Sequence, residues 1–428
     1  MRAIIFLIFL IGYCHATCRL RNKDLPCRCV DDTLRCTCLT PQSIDLTSAD
    51  IENKKDVTSI QIRGCIVKHV NSSLFIDYAE ELTNLELIAC QIDNVDKNSF
   101  AEIKKLQNLF LSNHHGVIEM EFPLLPKRDC PKDDFDSHIS VTIYYSSIST
   151  FDQDQLICVD ELDLSHNDFS KGFPKIDKLS NLIFLQCDNC KLEFVPMQIP
   201  NTILRVSFEN NLIANITSAH RIPSFTNVEM LSFANNRITY IATDAFYSIH
   251  TKTIGDEKIE IDFTNNRIRF LEQSVFYYMA GNELGQGEIE VNLSQNPIEC
   301  SCYMQWILSL KQDMPHVSIK GECLSPPVLN SRALNSLKVS DFNNLPHCTV
   351  SPLFLPHTPR SQKVAFMLVA LTSVTGTILL FAAIRHWNKM NRKRKRKYRK
   401  LDAAGAQIDN SIYVVGDEEN LHVTDTYM

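Results

Sequence analysis

The sequence predicts an α/β solenoid, in which short coils stack in register and each gives one strand to a curved parallel sheet. Disulfide caps close its two ends, and one transmembrane helix follows. Three observations carry this reading. Residues 57–298 repeat one apolar pattern about ten times. All 16 cysteines lie at or before Cys348, with clusters directly before and after the repeats. Beyond the second cluster comes a charge-free apolar run, residues 364–384.

The clearest copies are Leu162-Asp163-Leu164-Ser165-His166-Asn167, Leu231-Ser232-Phe233-Ala234-Asn235-Asn236 and Ile261-Asp262-Phe263-Thr264-Asn265-Asn266. Aligned on the first apolar residue, the copies begin at Ile60, Leu85, Leu109, Val141, Leu162, Leu185, Val206, Leu231, Ile261 and Val291. Two apolar residues one apart share the inner face of a strand, and the residue between them points outward. Asn167, Asn211, Asn236, Asn266 and Asn296 fill a buried turn slot, where a carboxamide serves both a donor and an acceptor of the backbone. Cys65, Cys90 and Cys190 fill the same slot as small buried thiols. Phe75, Phe100, Phe246 and Phe276 recur beyond the strands and predict an aromatic stack on the convex side. In period and pattern the stretch resembles the leucine-rich repeat.

Residues 1–16 read as a secretory signal peptide, with Arg2, an apolar core and a small-residue end at Ala16. Residues 17–56 hold Cys18, Cys27, Cys29 and Cys36. Thiolates at such spacing also suit zinc, but in an exported chain disulfides are the expectation. The cluster resembles the N-terminal cap of extracellular leucine-rich repeat proteins, which implies Cys18–Cys29 and Cys27–Cys36. Cys38 is surplus to that pattern.

A loop insertion interrupts the period near residues 113–138, with His114-His115 at its start. Cys130 and Cys158 bracket much of it and are disulfide candidates. Cys187-Asp188-Asn189-Cys190 has the spacing of a redox dithiol or half a zinc site. The repeat register explains both thiols otherwise: Cys187 takes the second inward slot and Cys190 the Asn slot. That reading makes them inert and unlinked to each other. Asn71, Asn215 and Asn292 open glycosylation sequons.

Residues 296–348 contain Asn296-Pro297, then Cys300, Cys302, Trp306, Cys323 and Cys348. They resemble the C-terminal cap of the same family, which implies Cys300–Cys323 and Cys302–Cys348. A Pro-bearing stalk covers 349–363. The 21 residues 364–384 would make a helix of about 31 Å, enough to span a bilayer. Residues 385–428 form a cytoplasmic tail, in which ten of the first 16 residues are Lys or Arg. That asymmetry orients the chain as a type I single-pass protein of the plasma membrane, with anionic lipid against the basic segment. Residues 17–362 carry 31 basic against 44 acidic residues, a net of −13. An acidic ectodomain argues against nucleic acid as a partner. Tyr398, Tyr413 and Tyr427 leave the short tail open to an adaptor.

No catalytic, metal or cofactor constellation appears in the sequence. The resemblance implies a cell-surface receptor or adhesion protein that binds an extracellular or cell-surface protein ligand without catalysis. The alternative is a structural organiser of extracellular matrix. Candidate ligand-binding residues are those expected to face outward on the sheet: Phe110, Tyr144, Asp163, Phe184, Met230 and Asp262.

Overall fold

Alternation of apolar and polar residues makes a strand at the start of each repeat, and no coil can bury its apolar side without a neighbour. The computed structural model describes residues 19–21, 25–47, 51–113, 118–127, 130, 138–148, 156–217, 228–246, 258–276, 288–310, 314–345 and 348. Its main sheet has 14 strands. The sheet opens with an antiparallel hairpin, Cys27–Val30 with Thr33–Thr37. From Thr33–Thr37 onward the pairing is parallel, through Ser59–Arg63 and each repeat in turn, to Val317–Lys320 in the C-terminal cap. Register is kept from coil to coil: Leu162, Leu185, Val206, Leu231, Ile261 and Val291 lie opposite one another. All six are buried. The result is a leucine-rich repeat solenoid.

After nine of the ten repeat strands, all but Asn108–Asn113, the chain turns through one left-handed residue. Gly64, Ala89, Tyr145, His166, Asn189, Asn210, Asn235, Asn265 and Gln295 all have φ between 49° and 65°. Asn is well suited to that region, and it fills four of the nine positions. The next residue is the buried slot. Asn236 Nδ2 donates to Phe208 O of the preceding coil at 2.8 Å and to Phe233 O of its own coil at 3.1 Å. Its Oδ1 accepts from Ile213 N at 3.1 Å. Asn211, Asn266 and Asn296 repeat this reach to the coil before. Asn167 does so too, through Ile143 O and Ser146 N. Each carboxamide therefore satisfies backbone groups that would otherwise be orphaned.

Two cysteine expectations need correcting. Cys187 and Cys190 are bonded to each other, with Cα atoms 5.6 Å apart. The cause is the left-handed turn at Asn189, which folds the slot residue back onto the second inward position of its own coil. Asparagines in the same slot reach the same place: Asn167 Nδ2 lies 2.7 Å from Leu164 O. Two thiols set there are within bonding reach. Cys65 is likewise no free thiol, because it is bonded to Cys38 of the cap. Cys90 is buried and free, and burial pushes its thiol up to about 11. In the native protein Cys90 should resist iodoacetamide at pH 8 and become labelled only after unfolding. Rapid native labelling, read by peptide mass, would contradict its burial.

Of the remaining cysteines, Cys27 is bonded to Cys36, Cys130 to Cys158, Cys300 to Cys323 and Cys302 to Cys348. Cys29 is also disulfide-bonded, while Cys18 lies outside the described residues. Phe75 and Phe100 meet at 6.0 Å on the convex side. Phe246 instead packs on Phe263, and Phe276 on Trp306. A second column, Phe208, Phe233 and Phe263, runs through the inward strand slots. Trp306 sits on the 3-10 helix Cys302–Leu308 and donates from Nε1 to Leu271 O at 3.1 Å, so the cap is bonded to the coil beneath it.

Contacts divide the chain into two units, residues 1–356 and 357–428. The expected signal peptide, stalk, transmembrane helix and tail lie outside the described residues, as do His114 and His115. Among the described residues no helix is long and apolar enough to cross a membrane.

Candidate functional site on the concave sheet

Strand alternation turns one row of side chains out from the sheet, and neighbouring rungs lie about 4.8 Å apart. Phe110, Thr142, Asp163, Gln186, Ser207, Ser232, Asp262 and Asn292 share this row in register. Phe110 is its one large apolar member, and three further rings gather beside it from outside the row. The half-buried Phe110 ring packs edge-on against Tyr144 at 5.5 Å. Tyr144 in turn meets His166 at 5.4 Å, and Tyr145 stacks on His166 at 5.2 Å. Tyr145 and His166 both occupy the left-handed turn position, which sets their rings at the rim beside the sheet. Beside Phe110, an open hollow of about 480 Å³ is lined by Asn84, Glu86, Ile88, Asn108, Ser140 and Thr142.

The Tyr144 hydroxyl donates to Asp163 Oδ2 at 2.6 Å. Burial, followed by this bond and the nearby carboxylates, pushes the phenol above its ordinary value. It stays protonated at neutral pH and remains a donor. Asp163 Oδ1 also accepts from Ser165 N at 2.9 Å. One coil on, Asp188 accepts from Gln186 Nε2, Ser207 Oγ and Glu209 N, each at 2.7 Å. Glu209 accepts from Ser232 Oγ at 2.7 Å. In all these bonds the donors are neutral, so the middle of the face keeps its negative charge.

Phe184 lies opposite Glu161 on one side and Arg205 on the other, and Arg205 lies opposite Met230. Met230 is 38% exposed. Thus Phe110, Tyr144 and Asp163 form one cluster, Phe184 lies on the next strand, and Met230 lies two strands beyond Phe184, past Arg205. Asp262 stands apart, four strands from Asp163, and its Oδ1 is taken by Thr264 N at 2.7 Å. Beyond it the face is ion-paired: Lys258 reaches Glu260 at 2.9 Å and Glu290 at 3.0 Å, and Lys320 also pairs with Glu290. Hydrogen bonding to Lys320 leads the causes that hold the Glu290 carboxyl below its ordinary value.

Sequence reasoning missed Tyr145, His166, Asp188 and Glu209. Each follows the second inward residue by one or two positions, past the point where strand alternation fixes side-chain direction. Of the sequon residues, Asn71 precedes the short helix Ser72–Phe75, Asn215 is exposed on Asn215–Ile216, and Asn292 is half-buried on the last repeat strand. Among the described residues no group of three His, Cys, Asp or Glu is placed to hold a metal ion.

No family model matches the chain. It is 29% identical to rat (Rattus norvegicus) osteomodulin over 188 residues, 42% of this chain and 41% of that protein. Mouse (Mus musculus) osteomodulin is 29% identical over 182 residues, 41% of this chain and 40% of that protein. The chain thus spans about two fifths of the length of these relatives. Among solved structures, it is similar to a chain of the octameric complex of latrophilin 3, Unc5D and FLRT2, with 18% identity and a TM-score of 0.43 over 68% of this chain and 77% of that one. Human 5T4, the trophoblast glycoprotein, gives 13% identity and a TM-score of 0.42 over 74% of this chain and 97% of its own. At scores this low neither likeness bears on function. What the chain itself shows is a leucine-rich repeat pattern folded as a parallel solenoid, with an asparagine ladder between its coils and disulfides at its ends.

Proposed function

We propose that this chain is a cell-surface recognition protein, held by residues 364–384 as a type I single-pass span, which binds a protein ligand on the concave sheet. The observation that carries this is the ring cluster Phe110, Tyr144, Tyr145 and His166, set on the same parallel sheet that carries Phe184 and Met230 further along. Partly exposed aromatic residues on a preorganised surface are the common anchors of protein interfaces. Six disulfides among the described residues suit folding in an oxidising compartment. The acidic mid-face favours a ligand with basic groups at its rim.

The test compares the full chain with a Phe110→Ser plus Phe184→Ser variant on living cells, by proximity labelling of neighbouring surface proteins. The variant should reach the surface at near-normal levels and lose its specific neighbours. Truncating one such anchor commonly costs about 2 kcal/mol or more. Retention inside the cell would show that these rings are core, and unchanged labelling would place the ligand elsewhere. Deleting residues 401–428 separates a signalling receptor from a matrix organiser, because only the receptor needs its tail.

A further inference from the structure

A second row of outward residues lies on the flank, away from the concave sheet. Beyond each buried slot the repeats read Leu192-Glu193-Phe194-Val195, Ile213-Ala214-Asn215-Ile216, Ile238-Thr239-Tyr240-Ile241 and Ile268-Arg269-Phe270-Leu271. The first and last residues of each quartet are buried. The third points out: Phe194 is 54% exposed, Tyr240 52% and Phe270 47%, and Asn215 is exposed with them. Asn215–Ile216 pairs in parallel with Tyr240–Ile241, which sets Asn215 directly opposite Tyr240. Backbone bonds from Thr239 N to Ala214 O and from Arg267 N to Ile238 O, both 2.9 Å, hold successive coils in line. The flank therefore presents an aromatic, a sequon asparagine and two further aromatics on consecutive coils.

We propose that Asn215 carries an N-linked glycan whose first sugars fold back over the rings of Tyr240 and Phe270. In the linking step Asn215 Nδ2 loses one proton and bonds to the anomeric carbon of a lipid-linked diphospho-oligosaccharide. The bond from that carbon to the diphosphate breaks, and the lipid diphosphate leaves with its electron pair. Thr239 Oγ1 lies 3.2 Å from Asn215 Oδ1 and orients the carboxamide. No described residue bonds its Nδ2, the atom that takes the sugar.

Three features of the row favour a sugar as its occupant. A glycan tethered within the row meets the rings at high effective concentration. A pyranose offers a face of C–H groups, which complements the negative face of an aromatic ring. A protein partner would have to dock across a bulky, solvated chain rooted in the middle of the row. The other sequons have no such setting. The position equivalent to Tyr240 beside Asn71 is His69, and Asn292 sits on the concave sheet, where its Oδ1 is held by Ser294.

The test is site-resolved release of the glycans by a peptide N-glycosidase, from the native full chain made in secretory cells. Glycopeptide mass should show Asn215 occupied. Its glycan should be released about tenfold more slowly than in a Tyr240→Ser plus Phe270→Ser variant, a difference equivalent to about 1.4 kcal/mol. After denaturation the two chains should release it at equal rates, and release at Asn71 should be the same in both. An unoccupied Asn215 would overturn the proposal. Equal native rates in the two chains would do so as well, because the sugars would then stand free of the rings.

Discussion

Replacing Asn236 by Leu should destabilise the solenoid by about 2–6 kcal/mol. The substitution strands two buried backbone groups of the preceding coil, Phe208 O and Ile213 N, which bond this side chain at 2.8 and 3.1 Å. An unpaired buried group costs about 1–3 kcal/mol. Leucine has the same number and branching of side-chain heavy atoms but is bulkier and can neither donate nor accept, so the lost hydrogen bonds come with some added crowding. Chemical denaturation with a circular-dichroism readout measures it. A denaturation midpoint equal to wild type, with normal export, would mean that the ladder contributes nothing.

Trp306→Ala should cost about 3–5 kcal/mol, the usual range for truncating a buried tryptophan. The ring is 3% exposed, packs on Phe276 at 5.5 Å and bonds Leu271 O through Nε1. Together with the strand Val317–Lys320, it seats the cap on the last repeats. The disulfides Cys300–Cys323 and Cys302–Cys348 hold the cap itself together in the variant, and Val317–Lys320 still pairs with the last repeat strand, so the loss should be local. Faster amide exchange is expected at residues 261–276 and 289–298, with residues 60–111 unaffected. Trp306→Phe restores the ring contact but leaves Leu271 O unpaired, and should fall between the two. Uniform exchange along the solenoid in both variants would rule out a local capping role.

Much of the fold was legible because inward positions are dictated by period alone. Ile60 through Val291 fall in their strands with the register that the spacing gives. Where one coil gains or loses a residue, the period misleads. Asn113 follows Leu109 by four positions rather than five, yet it lies opposite Cys90 and accepts from Ile92 N at 3.2 Å. It is a ladder residue that a fixed offset passes over. The Cys187–Cys190 and Cys38–Cys65 bonds were hidden for another reason. A slot assignment names which residues are buried but not which neighbour each one faces, and a left-handed turn decides that. On the concave face the middle row was readable from alternation. Asp188 and Glu209 were not, because they lie past the regular strands Phe184–Gln186 and Arg205–Ser207, where hydrogen bonds to the next coil set side-chain direction.

The ladder also has a direction in time. Each asparagine reaches back to the coil made before it, so every coil is completed by a residue that the ribosome adds later. While the chain is being made, its newest coil holds an N–H and a C=O whose partner has not yet been synthesised. Asn296 supplies the last of these, to Ile268 N and Phe263 O. The coil that carries Asn296 looks to no further asparagine among the described residues: its Ile298 N donates to Asn296 O of the same coil, while Leu293 N pairs with Lys320 O in the closing strand as Phe263 N pairs with Asn292 O. A chain halted at any earlier repeat would display an open, sticky end to the quality-control machinery of the cell.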